Sequence, residues 1–201
     1  DGKVLKLLRK WLKAGVLEDG MRKESVVGTP QGGVISPLLA NVYLHELDRE
    51  WQREMGGLGR LVRYADDFVA VCRNEADAKR AYDWIVATLT RLGLKLQPAK
   101  TRIVHLRVEG IDFLGCHLRM GQSRRIAGRW YLYRWPNRKA MAKLRTRIRE
   151  ITSCRHSGMK LADVIAALNP VLRGWGEYFR NGNATLKFGM IDRHVWKRLT
   201  I

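Results

Sequence analysis

Apolar residues recur along the chain with two different periods, one typical of helices and one typical of strands. Helical spacing is found in the segments 3–14, 36–51, 75–92, 138–151, 161–173 (which contains Pro170) and 187–199. Ser36 followed by Pro37 predicts a helix start, with the serine as the capping residue and the proline at the first helical position. Asn74 is likewise a typical capping residue, and Gly93 follows the end of the helix predicted after it.

Strand-forming residues surround an acidic pair between the second and third of these helices. Leu61 and Val62 precede Asp66-Asp67, and further apolar residues follow the pair to residue 73, so residues 60–73 predict a hairpin with an acidic turn. Further short strands are predicted at 94–97, 102–107, 112–119 and 129–135. The pattern therefore predicts an α+β fold over residues 1–135, followed by a helical module.

Charge is distributed unevenly along the 201 residues. The chain carries 38 basic and 19 acidic residues, a net charge of +19. Residues 1–100 contain 17 basic and 13 acidic residues, whereas residues 101–201 contain 21 and 6. Eleven basic residues and no acidic one lie between Arg119 and Arg149. This excess favours a polyanion as partner, and RNA-binding candidates on the 138–151 helix are Arg138, Lys143, Arg145 and Arg149.

Other function classes receive little support from the composition. No run of 18 apolar residues occurs, so neither a membrane-spanning helix nor a membrane partner is expected. The three cysteines are widely separated, which argues against a disulfide framework or a zinc knuckle and favours a reducing compartment.

The densest chemical signal is the sequence Tyr64-Ala65-Asp66-Asp67. Two neighbouring carboxylates repel each other unless cations lie beside them, and their hard oxygen donors suit Mg²⁺. Two such ions, or Mn²⁺ in substitution, can activate a 3′-hydroxyl and stabilise a leaving pyrophosphate in nucleotidyl transfer. The alternative interpretation is an ordinary polar turn, in which Asp is also common.

A glycine-rich segment, Gly28-Thr29-Pro30-Gln31-Gly32-Gly33, is the second signal. Glycines allow the backbone to approach a ligand closely, and bare N–H groups can meet phosphate. Gln31 and Gly32 are therefore candidates for contact with a nucleotide or a template edge. A simple glycine turn that leads into the next helix is the alternative.

Four segments together resemble a known family. They are, in order, GTPQGGVISPLLANVYLHELD (28–48), RYADDFVAV (63–71), LGLKLQPAKT (92–101) and FLG (113–115). The set resembles the reverse transcriptases encoded by group II introns, and NPVLRGWGEYFRNG (169–182) resembles their thumb, or maturase, domain.

The resemblance implies a right-hand polymerase with a partial palm over 1–119, a connecting strand or linker over 120–135 and a helical thumb over 136–201. Asp66 and Asp67 would be the catalytic, metal-binding pair, and Arg173 would contact intron RNA. The implied contacts to nucleotide or template come from Tyr64, Gln31, Gly32 and Lys100, and the implied primer grip consists of Phe113, Leu114 and Gly115. The alternatives are a solvated surface lysine for Lys100 and the end of a core strand for Phe113 and Leu114. The implied partners are intron RNA, an RNA template with a DNA primer, and deoxynucleoside triphosphates.

The chain departs from the family pattern at one point. Family members carry another metal-binding Asp in an earlier palm strand, and no candidate for it is seen before the glycine loop. We therefore expect a C-terminal portion of such an enzyme, inactive in isolation and located in the bacterial cytoplasm or an organelle. Two other functions stay open: an RNA-binding maturase without polymerase activity, and a reverse transcriptase of a retron or a defence system.

Overall fold

The computed structural model describes residues 1–13, 16–18, 21–23, 35–123, 125–153, 158 and 160–200. The chain forms two compact units, Asp1–Ile103 and Val104–Ile201. The boundary between the two units, at residues 103 and 104, differs from the predicted domain limits at 119 and 136. Those limits separate a palm, a connecting segment and a thumb by their expected functions, and they stay predictions.

The described residues of the first unit form three helices and two antiparallel hairpins. Its elements are α1 (Gly2–Leu12), β1 (Val16–Glu18), β2 (Met21–Lys23), α2 (Ser36–Glu50), β3 (Gly59–Tyr64), β4 (Asp67–Cys72) and α3 (Glu75–Arg91). A π-helical segment, Trp51–Met55, continues α2. The helices predicted at 3–14, 36–51 and 75–92 and the acidic hairpin are therefore confirmed.

The core of the first unit lies between α2, α3 and one face of the β3–β4 hairpin. Leu47, Trp51, Ile85 and Leu89 are nearly or fully buried, and hairpin residues such as Phe68 pack against them. The hairpin's alternating residues therefore meet two helices on one side, as period-2 patterning requires.

Helix capping follows the sequence prediction at α3 but not at α2. The Asn74 side chain accepts a hydrogen bond from the Asp77 amide (2.8 Å), and Gly93 takes φ +70° after the helix end. At α2 the capping residue is Ile35, which makes no side-chain capping bond, so the predicted Ser36 cap is wrong. Ser36 lies one residue inside the helix, and Pro37 occupies its first turn.

Two of the predicted strands are not formed. Leu94 and Leu96 pack against the core of the first unit, but residues 94–97 pair with no strand in the described part of the chain. Residues 102–107 run into a turn, because the His105 carbonyl accepts hydrogen bonds from both Val108 N (3.0 Å) and Glu109 N (2.9 Å). Apolar alternation alone could not reveal that these segments lack a ladder partner.

In the second unit, the residues that the structure describes form a three-stranded antiparallel sheet and three helices. Its elements are β5 (Ile111–Phe113), β6 (Cys116–Gln122), β7 (Trp130–Pro136), α4 (Arg138–Ile151), α5 (Leu161–Phe179) and α6 (Thr185–Leu199), with strand order β5-β6-β7. The strand predicted at 112–119 is thus two strands with a turn between them. Helix α5 continues through Pro170 to Phe179, six residues beyond its predicted end.

A second core holds the three helices of this unit together. Met141, Leu144 and Ile148 of α4 are buried against Leu168 of α5 and Ile191 of α6. The stripe of apolar residues predicted on the 138–151 helix is confirmed. None of the described helices is both long enough and apolar enough to span a membrane.

Candidate active site and nucleic-acid interface

The acidic pair lies where the β3–β4 hairpin reverses direction. Tyr64 pairs with Asp67 across the ladder, so the turn itself consists of Ala65 and Asp66. Ala65 has φ +53°, a conformation that costs energy for a residue with a side chain and persists only where its surroundings impose it. Both carboxylates are solvent-exposed.

The two carboxylates of the turn lack partners that other acidic residues of the first unit possess. Six acidic side chains on or near its helices form ion pairs: Glu46–Arg49, Asp48–Arg63, Glu50–Arg91, Glu54–Arg53, Glu75–Lys79 and Asp77–Arg80. The side chains of Asp66 and Asp67 form no hydrogen bond or ion pair with any described residue. Their oxygens are therefore available to a cation.

The donor set of the turn fits part of a magnesium site. Two exposed carboxylates supply the hard oxygen ligands that Mg²⁺ prefers, and such sites usually combine one or two carboxylates with water and substrate phosphates. Within the described ranges, no group of three or more His, Cys, Asp or Glu side chains is placed to hold a metal. The further metal-binding Asp that family members carry in an earlier palm strand therefore stays an expectation from the resemblance.

Arg63 is a residue of this site that the sequence analysis missed. Its guanidinium bonds Asp48 through Nε (3.0 and 3.1 Å) and Nη2, and through Nη1 it reaches Asn41 Oδ1 (2.8 Å) and the Ala65 carbonyl (2.9 Å). The hydrogen bond to Asp48 raises the pKa of Arg63 above its usual value. Strand alternation could have found it, since Arg63 shares the inward face of β3 with Leu61 and an inward charge requires a partner.

The predicted nucleotide and template residues are only partly covered by the structure. Gln31 and Gly32 lie outside the described residues. Tyr64 is 66% exposed and lies beside Asp67 on the outward face of the hairpin. Lys100 is exposed in a turn closed by a hydrogen bond from its own amide to the Gln97 carbonyl (3.0 Å). Their roles stay predictions.

The predicted primer grip forms the tight turn between β5 and β6. Leu114 (φ +48°) and Gly115 (φ +76°) occupy the turn, whose two left-handed residues match the twist of a two-residue hairpin. Leu114 departs from the usual preference, because turns with two left-handed residues favour Asn, Asp or Gly.

Helices of the second unit hold this turn on two sides. The Tyr178 hydroxyl donates to the Leu114 carbonyl (2.9 Å), and the Asn137 amide at the start of α4 donates to the Gly115 carbonyl (2.9 Å). A Cβ at Gly115 would lie 3.6 Å from the Phe179 ring. The turn is thus fixed to the helices α4 and α5, a link that the sequence analysis did not predict.

A second set of bonds connects the sheet to the turn between α5 and α6. Arg134 of β7 donates to the Asn181 carbonyl through Nε (2.9 Å) and Nη2 (2.6 Å), and the Asn183 amide donates to the Arg134 carbonyl (2.7 Å). A Cβ at Gly182 would lie 2.6 Å from the Arg134 carbonyl oxygen, so only glycine fits there without a shift. Sheet and helices of the second unit therefore meet through main-chain bonds as well as apolar contacts.

Helix α4 carries basic residues on the surface outside its apolar stripe. Arg138, Lys143 and Arg149 are exposed, whereas Arg145 is half-buried. Arg138, Arg145 and Arg149 have the spacing i, i+7 and i+11, which places them on one side of the helix over about 16 Å. That length is suited to several successive phosphates of a nucleic acid.

Arg173 lies on α5, near its junction with the aromatic cluster of the second unit. Its side chain is exposed. The neighbouring Trp175 packs against Phe179 (4.9 Å between ring centroids) and Phe188 (5.4 Å). A contact between Arg173 and RNA stays a prediction.

Comparison with known families agrees with this arrangement. The model of the family "Reverse transcriptase (RNA-dependent DNA polymerase)" matches residues 3–118, more than half of the chain. The chain therefore belongs to the reverse transcriptase family. The model "Group II intron, maturase-specific domain" matches residues 141–201, and the two matches in this order identify a group II intron reverse transcriptase/maturase. The fold class predicted from the sequence, a palm of mixed helices and strands followed by a helical maturase domain, is confirmed.

Three curated proteins are similar to parts of the chain. Group II intron-encoded protein LtrA of Lactococcus lactis subsp. cremoris is 57% identical over 49 residues, which are 24% of this chain and 8% of LtrA. An uncharacterized 91 kDa protein in the cob intron of Schizosaccharomyces pombe is 29% identical over 174 residues, 59% of this chain and 22% of that protein. Protein YkfC of Escherichia coli K12 is 31% identical over 156 residues, which cover 62% of this chain and 41% of YkfC. The chain spans less than half the length of each.

Proposed function

We propose that this chain supplies the metal-binding turn and the RNA-binding helices of an enzyme that copies RNA into DNA and assists splicing and mobility of its own intron. The observation that carries the proposal is the acidic turn. The side chains of Asp66 and Asp67 are exposed and have no partner among the described residues, whereas six acidic side chains of the same unit are paired. Asp83 is also exposed and without such a partner, but the turn places two carboxylates next to each other, where a cation would relieve their repulsion.

In this proposal Asp66 and Asp67 hold Mg²⁺, or Mn²⁺ in substitution, at the tip of the hairpin. When bound, Mg²⁺ supplies Lewis-acid activation of a primer 3′-hydroxyl and neutralises charge at the leaving pyrophosphate. The core-facing side of the hairpin fixes the two carboxylates, because Phe68 and its neighbours pack against α2 and α3. Tyr64 borders the incoming nucleotide, together with Gln31 and Gly32, and Lys100 provides a cation for the departing pyrophosphate.

The β5–β6 turn is proposed to support the primer. Phe113, Leu114 and Gly115 present a backbone held in one conformation by Tyr178 and Asn137, and a rigid backbone is what a grip on a primer strand requires. The positions of the primer and the helices α4 and α5 are then coupled through two hydrogen bonds. The partners are deoxynucleoside triphosphates and an RNA template with a DNA primer.

The RNA-binding part of the proposal rests on α4 and α5. Arg138, Lys143, Arg145 and Arg149 would contact phosphates of folded intron RNA, and Arg173 would make a more specific contact. A maturase that only binds RNA is the second candidate, and the match to the maturase-specific domain favours it equally. The acidic turn favours the polymerase, since a maturase that only binds RNA has no chemical need for the adjacent carboxylates of Tyr64-Ala65-Asp66-Asp67.

Manganese binding to the chain tests the proposed metal site. Electron paramagnetic resonance of Mn²⁺ titrated into the wild type should show a weak site that Asp66→Asn removes, because one of only two ligands loses its charge. Asp83→Asn is the matched control, since Asp83 is an exposed aspartate on α3 and its loss changes the net charge equally. Equal Mn²⁺ binding by the wild type and Asp66→Asn would contradict the assignment.

A further inference from the structure

Arg63 connects the acidic turn to helix α2 by contacts on both sides of its guanidinium. Nη1 donates both to Asn41 Oδ1 (2.8 Å) and to the Ala65 carbonyl (2.9 Å) inside the turn, while Nε and Nη2 bind the Asp48 carboxylate. The Arg63 side chain is only 11% exposed and that of Asp48 27%. A planar, charged fork held by several acceptors has little freedom to move.

Helix α2 is a suitable anchor for these contacts. Asn41 and Asp48 are seven residues apart, two helical turns, so both project from the same side of the helix. Leu47 and Trp51 of the same region are buried in the core of the first unit. The guanidinium therefore ties the hairpin tip to an element that the core already immobilises.

The turn needs such support because of its backbone. Ala65 adopts φ +53°, which Ala takes less readily than Gly, and its carbonyl is the group that Arg63 binds. No glycine occupies the turn, so local preference alone does not specify its conformation. The hydrogen bond from Arg63 to the Ala65 carbonyl can stabilise this one conformation of the turn.

We propose that Arg63 is the positioning residue of the acidic turn, holding Asp66 and Asp67 in the orientation in which they bind a divalent cation. The inference rests on the proposed function, since it assigns a role toward the same metal site. Arg63 acts through the Ala65 carbonyl and does not itself touch substrate or metal. Asn41 shares this role because it orients the Nη1 group that reaches the turn.

Replacing Arg63 changes metal affinity in opposite directions, depending on whether the arginine acts by positioning the turn or only by its positive charge. Loss of a nearby positive charge, taken alone, strengthens the binding of a cation. Loss of a positioning residue weakens it, and removal of groups that orient metal ligands typically costs about 10–100-fold in affinity. Arg63→Gln should therefore bind Mn²⁺ about tenfold more weakly than the wild type.

The experiment combines Mn²⁺ titration with backbone hydrogen–deuterium exchange of the peptide that covers residues 63–67, using the whole 201-residue chain. The variants are Arg63→Gln, Arg63→Lys and Asn41→Ala. Arg60→Gln is the matched control, because Arg60 is an exposed arginine on the same strand and its loss changes the charge equally. Circular dichroism establishes which variants fold.

Weaker Mn²⁺ binding and faster exchange in Arg63→Gln, with neither change in Arg60→Gln, support the proposal. If Arg63→Gln does not fold, Asn41→Ala decides, since it removes an exposed amide and leaves the ion pair with Asp48 in place. Arg63→Lys keeps the charge but loses the fork, so weaker binding is expected there as well. The proposed positioning role of Arg63 would be overturned by an unchanged Mn²⁺ affinity in both Arg63→Lys and Asn41→Ala, or by tighter Mn²⁺ binding in Arg63→Gln.

The exchange measurement keeps the two proposals distinguishable. If the wild type binds Mn²⁺ no better than Asp66→Asn, the proposed metal site fails whatever the Arg63 variants do. In that case, faster exchange at residues 65–67 in the folded Arg63 and Asn41 variants still supports a positioning role for Arg63 at the turn. Unchanged exchange there rejects it.

Discussion

The two compact units of this protein differ in how far their charged side chains are paired with opposite charges. In the first unit, most carboxylates on α2 and α3 are paired with arginine or lysine, and several pairs are partly buried, such as Asp48–Arg63 and Glu50–Arg91. In the second unit most basic residues have no acidic counterpart, because residues 104–201 contain 20 basic and only 6 acidic side chains. In the proposed function, the chain therefore keeps the metal site in the unit whose charges are mostly paired and the RNA-binding surface in the unit with excess positive charge.

The same contrast distinguishes the two turns predicted to matter for polymerisation. The acidic turn is held by one side chain, Arg63, whose bonds come from a helix within its own unit. The β5–β6 turn is held by Tyr178 and by the main chain at Asn137, both from the helical part of the second unit. Metal binding should therefore respond to changes in α2, and primer binding to changes in α5.

The largest effect is expected from removal of the basic face of α4. Replacing Arg138, Lys143, Arg145 and Arg149 together by Gln should weaken binding to every RNA, because phosphate contacts carry no sequence information. If about five phosphates are contacted, the log–log salt slope should be about −3.5 to −4.5, and losing four contacts should flatten it by about 3. Filter binding of cognate and scrambled RNA at several salt concentrations measures the slope.

The matched control for this variant lies in the first unit. Replacing the exposed Lys3, Lys6, Arg9 and Lys10 of α1 by Gln removes the same charge. We expect a much smaller change in slope than in the α4 variant. Equal flattening by the two variants would show that only net charge counts and that the α4 face is not a binding site.

A single replacement within the same module should separate specific from general contacts. Arg173→Gln should weaken binding to the cognate intron RNA more than binding to scrambled RNA, because Arg173 is proposed to make a specific contact. The same filter-binding titrations give this ratio. An equal loss for both RNAs would place Arg173 among the general phosphate contacts.

A smaller effect is expected from the hydroxyl of Tyr178. Tyr178→Phe removes the bond to the Leu114 carbonyl, which at an exposed position contributes about 0.5–1.5 kcal/mol. In a full-length parent enzyme we expect a KM for primer–template several-fold higher, with kcat little changed. Tyr82→Phe serves as the control, and a kcat loss without a KM change would contradict a role in primer placement.

The smallest effect is a pH dependence confined to the second unit. Burial, together with the nearby Arg145, Arg149 and Arg198, lowers the pKa of His194 below its usual 6.5. The unfolded chain then takes up a proton before the folded one, so stability falls as the pH decreases through 6.5. Thermal unfolding at pH 7.5 and 5.5 should show this loss in the wild type and a reduced loss in His194→Gln. His45→Gln, in the first unit, should behave as the wild type does.

Sequence patterns predicted the elements with strong local signals. The helices α3 and α4 were predicted to within a residue because capping asparagines and apolar stripes specify them locally. The acidic hairpin was also predicted from a local signal, because strand-forming residues lie on both sides of a turn-forming Asp pair. The strands at 94–97 and 102–107 were predicted wrongly, because apolar alternation does not show whether a partner strand exists.

The supporting contacts of the site were beyond prediction from local patterns. Arg63 reaches Asn41, 22 positions earlier, and Tyr178 reaches Leu114, 64 positions earlier. Neither distance has a periodic signature in the sequence. The alternation of β3 indicates that Arg63 faces inward and therefore needs a polar partner. The sequence does not indicate which residue that partner is.

Primer extension by a full-length parent enzyme tests the central claim most directly. With an RNA template and a DNA primer, Asp66→Ala should lower the rate of synthesis by at least about 10²–10³-fold, the cost of losing a group that stabilises transition-state charge. Asp83→Ala should retain wild-type synthesis. Synthesis by Asp66→Ala at a rate close to that of Asp83→Ala would contradict the assignment of the acidic turn as the catalytic site.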